Sequence, residues 1–317
     1  MKKSIQSVFL AFVLLTFLLS GCASASTPVL PVSASTSTAT AIPPTFTPEP
    51  TATATTIPSP TPLPGSVVLP IDTLGKSNPW LALDKTARPG VNYIGFNTLK
   101  PPFNSSLVRQ AFAHAIDRDV LVEMATKYKS KNPAHSTTLT PPETLGRDLY
   151  NEVGAKFDAQ MAKDLLTQAG YSDPSSFPKV LFLVNVSGDT APGARFNIAN
   201  AMADMWQTHL GITVEVQAVQ SFSEYGDRLK SNPPDLFWSA WAADYNDPDN
   251  FLREVFHSGA EYNYGNFSNT EFDKLVDSAA ENSDPAERQE LYIQAERLLC
   301  ETEAAIIPIF HNTYNIP

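Results

Sequence analysis

The sequence predicts an α/β domain built on a mixed sheet flanked by helices. Two observations carry this. Strand-like runs alternate with helical patterns of ten residues or more, which is the order expected of a sheet with some parallel pairing. About 250 residues share that pattern, enough for one large domain or two small ones, and no internal repeat divides them.

The elements follow in order. "VNYIGFNT" (Val91 to Thr98) alternates as a strand and "PPF" stops it. In "NSSLVRQAFAHAIDRDVLVEMA", Leu107, Val108, Ala111, Phe112, Ala115 and Ile116 fall at helical spacing, and Asp117-Arg118-Asp119 marks a break and restart. A Pro- and Thr-rich loop is expected from Asn132 to Pro142. "DAQMAKDLLTQAG" is a helix closed by Gly170. "KVLFLVNV" is a buried strand, and a helix from about Gly193 to Leu210 again ends at a glycine. "ITVEVQAV" is a half-buried strand followed by the short helix "FSEYGDRLK". Two further helices, "NTEFDKLVDSAAE" and "DPAERQELYIQAERLLCETE", bring their own caps, Asn269 or Thr270 and Asp284. "AAIIPIF" closes the chain as a strand.

Residues 1–21 have the layout of an export leader: Lys2 and Lys3, an apolar run from Val8 to Leu19, then small residues. "LSGC" resembles a bacterial lipobox, which implies cleavage before Cys22 and lipid on its sulfur, so that the membrane is a partner. The alternative is an ordinary leader with an incidental cysteine. The apolar run falls short of the 18 to 20 residues of a spanning helix. Residues 22–65 are nearly all Ser, Thr, Pro and Ala, with Glu49 the one charge. Such a segment cannot bury a core; it forms a disordered tether able to hold residues 66–317 on the order of 100 Å from the membrane. Cys300 is the one cysteine beyond Cys22, so no internal disulfide is expected, and its place in a helical pattern makes it a core residue. The formal charge is −11, and about −13 without Lys2 and Lys3, which excludes nucleic acid as a partner.

One stretch concentrates polar chemistry. "DLFWSAW" (Asp235 to Trp241) is a strand leaving the core, and "WAADYNDPDN" (Trp241 to Asn250) follows with three acids, two asparagines and two aromatics. Pro248 suits the first turn of a helix with Asp247 as its cap. Asp247 and Asp249 are expected to cap and turn, and Trp238 to pack in the core. Asp244 is either a ligand partner or a member of a structural loop hydrogen bond.

Four stretches together resemble the family 5 extracellular solute-binding proteins, which deliver peptides, and in some branches nickel or sugars, to ABC importers. They are "YIGFNTLKPPFNSSLVRQAFAHAIDRDVLV", "AKDLLTQAGY", "DLFWSAWAADYNDPDNFL" and "YNYGNFSNTEFDKLVDSA" with "ERQELYIQAERLLCETEAAIIPIFH". The resemblance implies a type II periplasmic-binding-protein-like fold and importer permeases as partners. It implies that Asp244 pairs with a ligand's α-ammonium group, that Trp241 lines the pocket, and that the main chain near Ala242 offers a hydrogen-bonding edge. Such an edge can hold any extended peptide, and a carboxylate at one end sets its direction.

The chain also departs from the family pattern. About 25 residues separate the tether from the first strand, where the family has a long first lobe, so residues 66–317 are expected to represent the second lobe alone. Lobe closure normally encloses the ligand. The expectations are therefore a peptide-binding importer lipoprotein, or a surface module that docks on a separately encoded first lobe, or a nickel- or sugar-binding member. No cofactor or metal site is expected, because the five histidines (His114, His135, His209, His257, His311) are scattered. An enzyme is not expected: G-x-S-x-G, H-E-x-x-H and P-loop motifs are missing.

Overall fold

The computed structural model describes residues 87–189 and 191–315. The leader, Cys22, the tether and residues 66–86 lie outside the described residues. Among those described, no helix is long and apolar enough to cross a membrane.

Among the described residues, six strands form one sheet: β1 (Ala87–Phe96), β2 (Ala134–His135), β3 (Val180–Asn185), β4 (Val214–Val219), β5 (Leu236–Ala242) and β6 (Ile306–Asn315), in the order β2-β6-β1-β5-β3-β4. β3 runs parallel to both β4 and β5, while β1 is antiparallel to β5 and β6. The sheet is therefore mixed, as the alternation of elements predicts.

The helices are α1 (Ser106–His114), α2 (Arg118–Lys127), a single turn α3 (Pro142–Leu145), α4 (Ala159–Gln168), α5 (Ala194–Leu210), α6 (Phe222–Ser231), α7 (Asp249–Phe256), α8 (Thr270–Glu281) and α9 (Pro285–Arg297). Their starts are written in local chemistry. Asp117, Asp158, Asn269 and Asp284 each accept a main-chain N–H of the first turn, which satisfies donors that the helix itself leaves open. Asp117 thus breaks "AFAHAIDRDV" into two helices where the sequence predicts it. Gly211, at φ 73°, closes α5 in the left-handed conformation that costs glycine nothing.

Strand alternation sends side chains to two cores. Ile94, Phe96, Leu236 and Trp238 face α1, α2, α4 and α5, where Phe103 packs edge to face on Phe112 and Trp206 lies tilted against Phe112. The Trp206 indole donates to the Phe112 carbonyl at 2.9 Å, so its one polar atom is satisfied inside. Val91 and Tyr93 face α7, α8 and α9, and Phe237 meets Tyr225 and Leu229 of α6. Cys300 is buried, as its helical position predicts, in a π-helical turn (Leu298–Thr302) that extends α9. Burial and the Glu296 carboxylate push its thiol well up.

The Pro- and Thr-rich stretch differs from a plain loop. Ala134 and His135 pair with β6, and Ser136, Thr137, Thr138 and Thr140 are all buried. Polar residues can enter because partners distant in sequence meet them. Glu296, wholly buried on α9, accepts from the Leu139 and Thr140 main-chain N–H groups at 2.8 and 2.7 Å. His311 of β6 has Nε2 2.9 Å from Ser136 Oγ, and Arg118 donates to the Pro308 and Ala155 carbonyls.

Burial lowers the His311 imidazole from 6.5 to about 4. Between those values the unfolded chain binds a proton there that the native chain refuses, so stability falls as pH drops through that window. From pH 7 to pH 5 the loss is about 2 kcal/mol. His311→Gln should lose less over the same interval. Urea unfolding of both chains at the two pH values, compared as a difference, checks this. The buried Glu296 carboxyl is pushed up, which acts in the opposite sense and is common to both chains.

Candidate functional site

β3 and β5 start side by side and then part. They pair only at Phe182 with Leu236 and Leu183 with Phe237. On its other side β5 is bracketed by two ladder bonds to β1 and its flanks, Asn97 N to the Asp235 carbonyl at 3.0 Å and Ala243 N to the Pro89 carbonyl at 2.9 Å. Antiparallel bonding alternates residue by residue, so Phe237, Ser239 and Trp241 turn their main-chain groups to β1. Trp238, Ala240 and Ala242 turn theirs toward β3. The Tyr225 hydroxyl takes the Trp238 carbonyl. Among the described residues, no strand pairs with the N–H and C=O groups of Ala240 and Ala242 on this side. This is an open sheet edge at the carboxyl ends of parallel strands, where α/β folds place their ligands.

A cleft lies on each face of the sheet at this edge. One, of about 490 Å³, is walled by Tyr93, Phe222, Tyr225, Trp241, Tyr262 and Tyr264. The other, of about 600 Å³, is lined by amides and cations, among them Asn92, Asn312, Lys129 and Arg195. Arg195 and Trp238 border both.

Of the three predicted site residues, Trp241 lines the 490 Å³ cleft, while Ala242 and Asp244 follow it along the chain and line neither cleft. Trp241 is half-buried, its indole N–H donating to Asn250 Oδ1 at 3.0 Å and its ring 4.8 Å from that of Tyr262. Ala242 is half-buried at the end of β5. The Asp244 side chain is 68% exposed, with Arg88 Nη1 3.6 Å from Oδ1. It is the main-chain N–H of Asp244, at 2.9 Å from Asn250 Oδ1, that makes the structural loop bond; the carboxylate stays turned to solvent.

Below the loop, Asp247 accepts from Asp249 N at 2.9 Å, while Pro248, and not Asp247 as its place predicts, takes the cap position of α7. It also receives both ends of the Arg288 guanidinium at 2.9 Å. Asp249 does more than turn the chain: it is buried, pairs with Arg253 at 2.7 Å and accepts from the Tyr245 hydroxyl at 2.9 Å. Burial and this carboxylate push the Tyr245 phenol up to about 12. Trp238 packs in the core, its indole donating to Asn92 Oδ1 at 3.2 Å.

Sequence reasoning missed Arg88, Arg195, Asn250, Tyr262 and Tyr264. Arg195 donates to the Asn185 carbonyl at 3.0 Å and lies 3.3 Å from the Asp189 carboxylate, which burial pushes up. Nothing in "PGARFN" separates it from a solvated first-turn arginine. "EYNYGNF" carries two closely spaced tyrosines in a region without periodicity, a signal that could have found Tyr262 and Tyr264.

Solved structures share this mixed α/β fold, which is that of the periplasmic binding proteins. The Escherichia coli murein tripeptide binding protein MppA superposes with a TM-score of 0.62 at 28% identity, covering 76% of this chain and 46% of MppA. The model of the bacterial extracellular solute-binding proteins, family 5 (middle region), matches residues 63–263, and the chain belongs to that family. The periplasmic oligopeptide-binding protein OppA of Salmonella typhimurium is 30% identical over 223 residues, 69% of this chain and 39% of OppA. The probable deoxycholate-binding periplasmic protein YgiS of Escherichia coli is 32% identical over 225 residues, again 69% of this chain and 39% of the relative. The chain thus spans about two-fifths of the length of these curated relatives.

Proposed function

We propose that this chain is a substrate-binding component of an ABC importer that takes short peptides by their backbone and amino end, and that it is not an enzyme. The observation that carries this reading is the main-chain edge of Ala240 and Ala242, unpaired among the described residues, followed along the chain by an exposed carboxylate. A peptide laid along that edge becomes an added strand, with N–H and C=O groups bonded whatever its side chains. Its α-ammonium group reaches Asp244, which a steroid acid such as deoxycholate would not satisfy. Trp241 forms the wall beside it. Permease subunits would receive the ligand, and lipid on Cys22 would keep the exported chain at the outer face of the membrane.

Alternate residues of an added strand point to opposite faces. Those turned to the 490 Å³ cleft meet Trp241, Tyr262 and Tyr264, a surface suited to apolar side chains. Tyr262→Ala should therefore cut the preference for Gly-Phe-Gly-type over all-glycine peptides about tenfold, the ~1.4 kcal/mol of one aromatic contact. Competition titrations with the two peptides measure it.

Isothermal titration of the purified chain with a pool of di- to pentapeptides tests the proposal, with the same pool N-acetylated as control. Saturable heat from the free peptides, with binding of the acetylated pool about 30-fold or more weaker, is the predicted result. No heat from a folded sample contradicts it and turns attention to the second reading, a module that works with a separately encoded first lobe.

A further inference from the structure

Asn250 touches neither cleft, yet it holds both residues assigned to the ligand's amino end. It lies in the first turn of α7, is 2% exposed, and lines neither opening. Its Oδ1 accepts from the Trp241 indole N–H at 3.0 Å and from the Asp244 main-chain N–H at 2.9 Å. Both partners are donors with no accepting atom there, so only the amide oxygen can face them and the side-chain orientation is fixed by chemistry.

We infer that Asn250 is a positioning residue that sets the spacing between the Trp241 wall and the Asp244 carboxylate, and so makes the amino-end subsite before ligand arrives. The reason is what else holds Asp244. Its carboxylate is 68% exposed and meets only Arg88, at 3.6 Å, among the described residues. A contact that long and that wet fixes little. The position of the carboxylate therefore comes from its main chain, and among the described residues the bond made there is the Asp244 N–H donating to Asn250 Oδ1. The same oxygen stops the Trp241 ring from turning away from Tyr262. Asn250 can serve as a fixed point because the start of its own helix is clamped: Asp247 accepts from Asp249 N, Arg288 holds Asp247 at two atoms, and Arg253 pairs with Asp249. Two rigid anchors on one atom amount to preorganisation, which lowers the ordering cost of binding.

The ligand side of this inference rests on the peptide reading above; the geometric side does not. The test uses the purified chain with Asn250→Leu and Asn250→Ala, which remove the acceptor, and Asn250→Asp, which keeps it. Three quantities are measured: the unfolding midpoint, the Kd for trialanine, and the ¹H–¹⁵N resonance of the Trp241 indole, assigned through Trp241→Phe. In the folded removal variants the indole N–H should exchange with solvent faster and its resonance should move. Trialanine should bind at least tenfold more weakly. Asn250→Asp should restore the indole signal and recover most of the lost affinity. Removal variants that stay folded and bind within twofold of the parent overturn the inference. So does an aspartate variant that keeps the indole bond yet binds as weakly as the leucine one. If the parent itself binds no trialanine, the peptide reading fails while the indole resonance still decides whether Asn250 holds Trp241.

Discussion

Asp244→Ala is expected to weaken the binding of peptides with a free amino end about 30-fold or more, while leaving N-acetylated peptides unaffected. The free carboxylate is solvated, so by itself it contributes little to stability, and the unfolding midpoint should stay within about 1 °C of the parent because surface pairs such as Arg88 with Asp244 are weak. Once a peptide covers it, the pair of charges leaves water, and truncating one partner of such a pair costs about 2–5 kcal/mol. Asp244→Asn should lie between, because the amide still accepts a hydrogen bond but carries no charge. Titration of the three chains with trialanine and acetyl-trialanine separates the two cases. Equal loss for both peptides would remove the ammonium contact from the account.

Glu296→Ala is expected to lower stability by about 3 kcal/mol or more, the largest effect of any single substitution considered. The carboxylate is wholly buried and is the acceptor for both Leu139 N and Thr140 N. Removing it leaves two main-chain donors without a partner and a cavity beside them, and each buried orphan costs about 1–3 kcal/mol. Glu296→Gln should cost less, since one amide oxygen can still accept from one donor while the NH₂ faces the other. Urea unfolding at pH 7 measures both. A loss under 1 kcal/mol for the alanine variant would mean that the Ser136–Thr140 segment is held by other contacts, such as His311 and Gly154. At Gly154 the φ is +86° and an added Cβ would fall 2.1 Å from the Thr137 carbonyl oxygen.

These two residues mark the limit of what the sequence discloses. Where structure follows local pattern, it was legible: "KVLFLVNV" and "ITVEVQAV" become the parallel strands β3 and β4, and Asp117, Asp158, Asn269 and Asp284 start helices because their side chains bond within their own turn. The strand that runs into Trp241 and the acidic stretch after it was legible too, through the apolar run that ends in a cluster of acids. What failed depends on partners far along the chain. Ser136 to Thr140 look like loop residues until Glu296 and His311, some 150 or more positions away, make their burial tolerable. The second bond of Asp247, to Arg288, and the burial of Asp249 are of the same kind. Asn250 carries no periodic signal at all, since an asparagine one turn into a helix has many ordinary uses.

The central claim is that peptide adds to β5 as a strand, and amide hydrogen exchange at Ala240 and Ala242 tests it most directly. Both N–H groups face the gap where β3 turns away, so without ligand they should exchange freely, unlike those of Ser239 and Trp241, which bond to β1. Saturating trialanine should slow exchange at Ala240 and Ala242 at least tenfold and leave their odd-numbered neighbours unchanged. Binding seen by calorimetry with no protection at either alanine would contradict the account and place the ligand elsewhere on the chain.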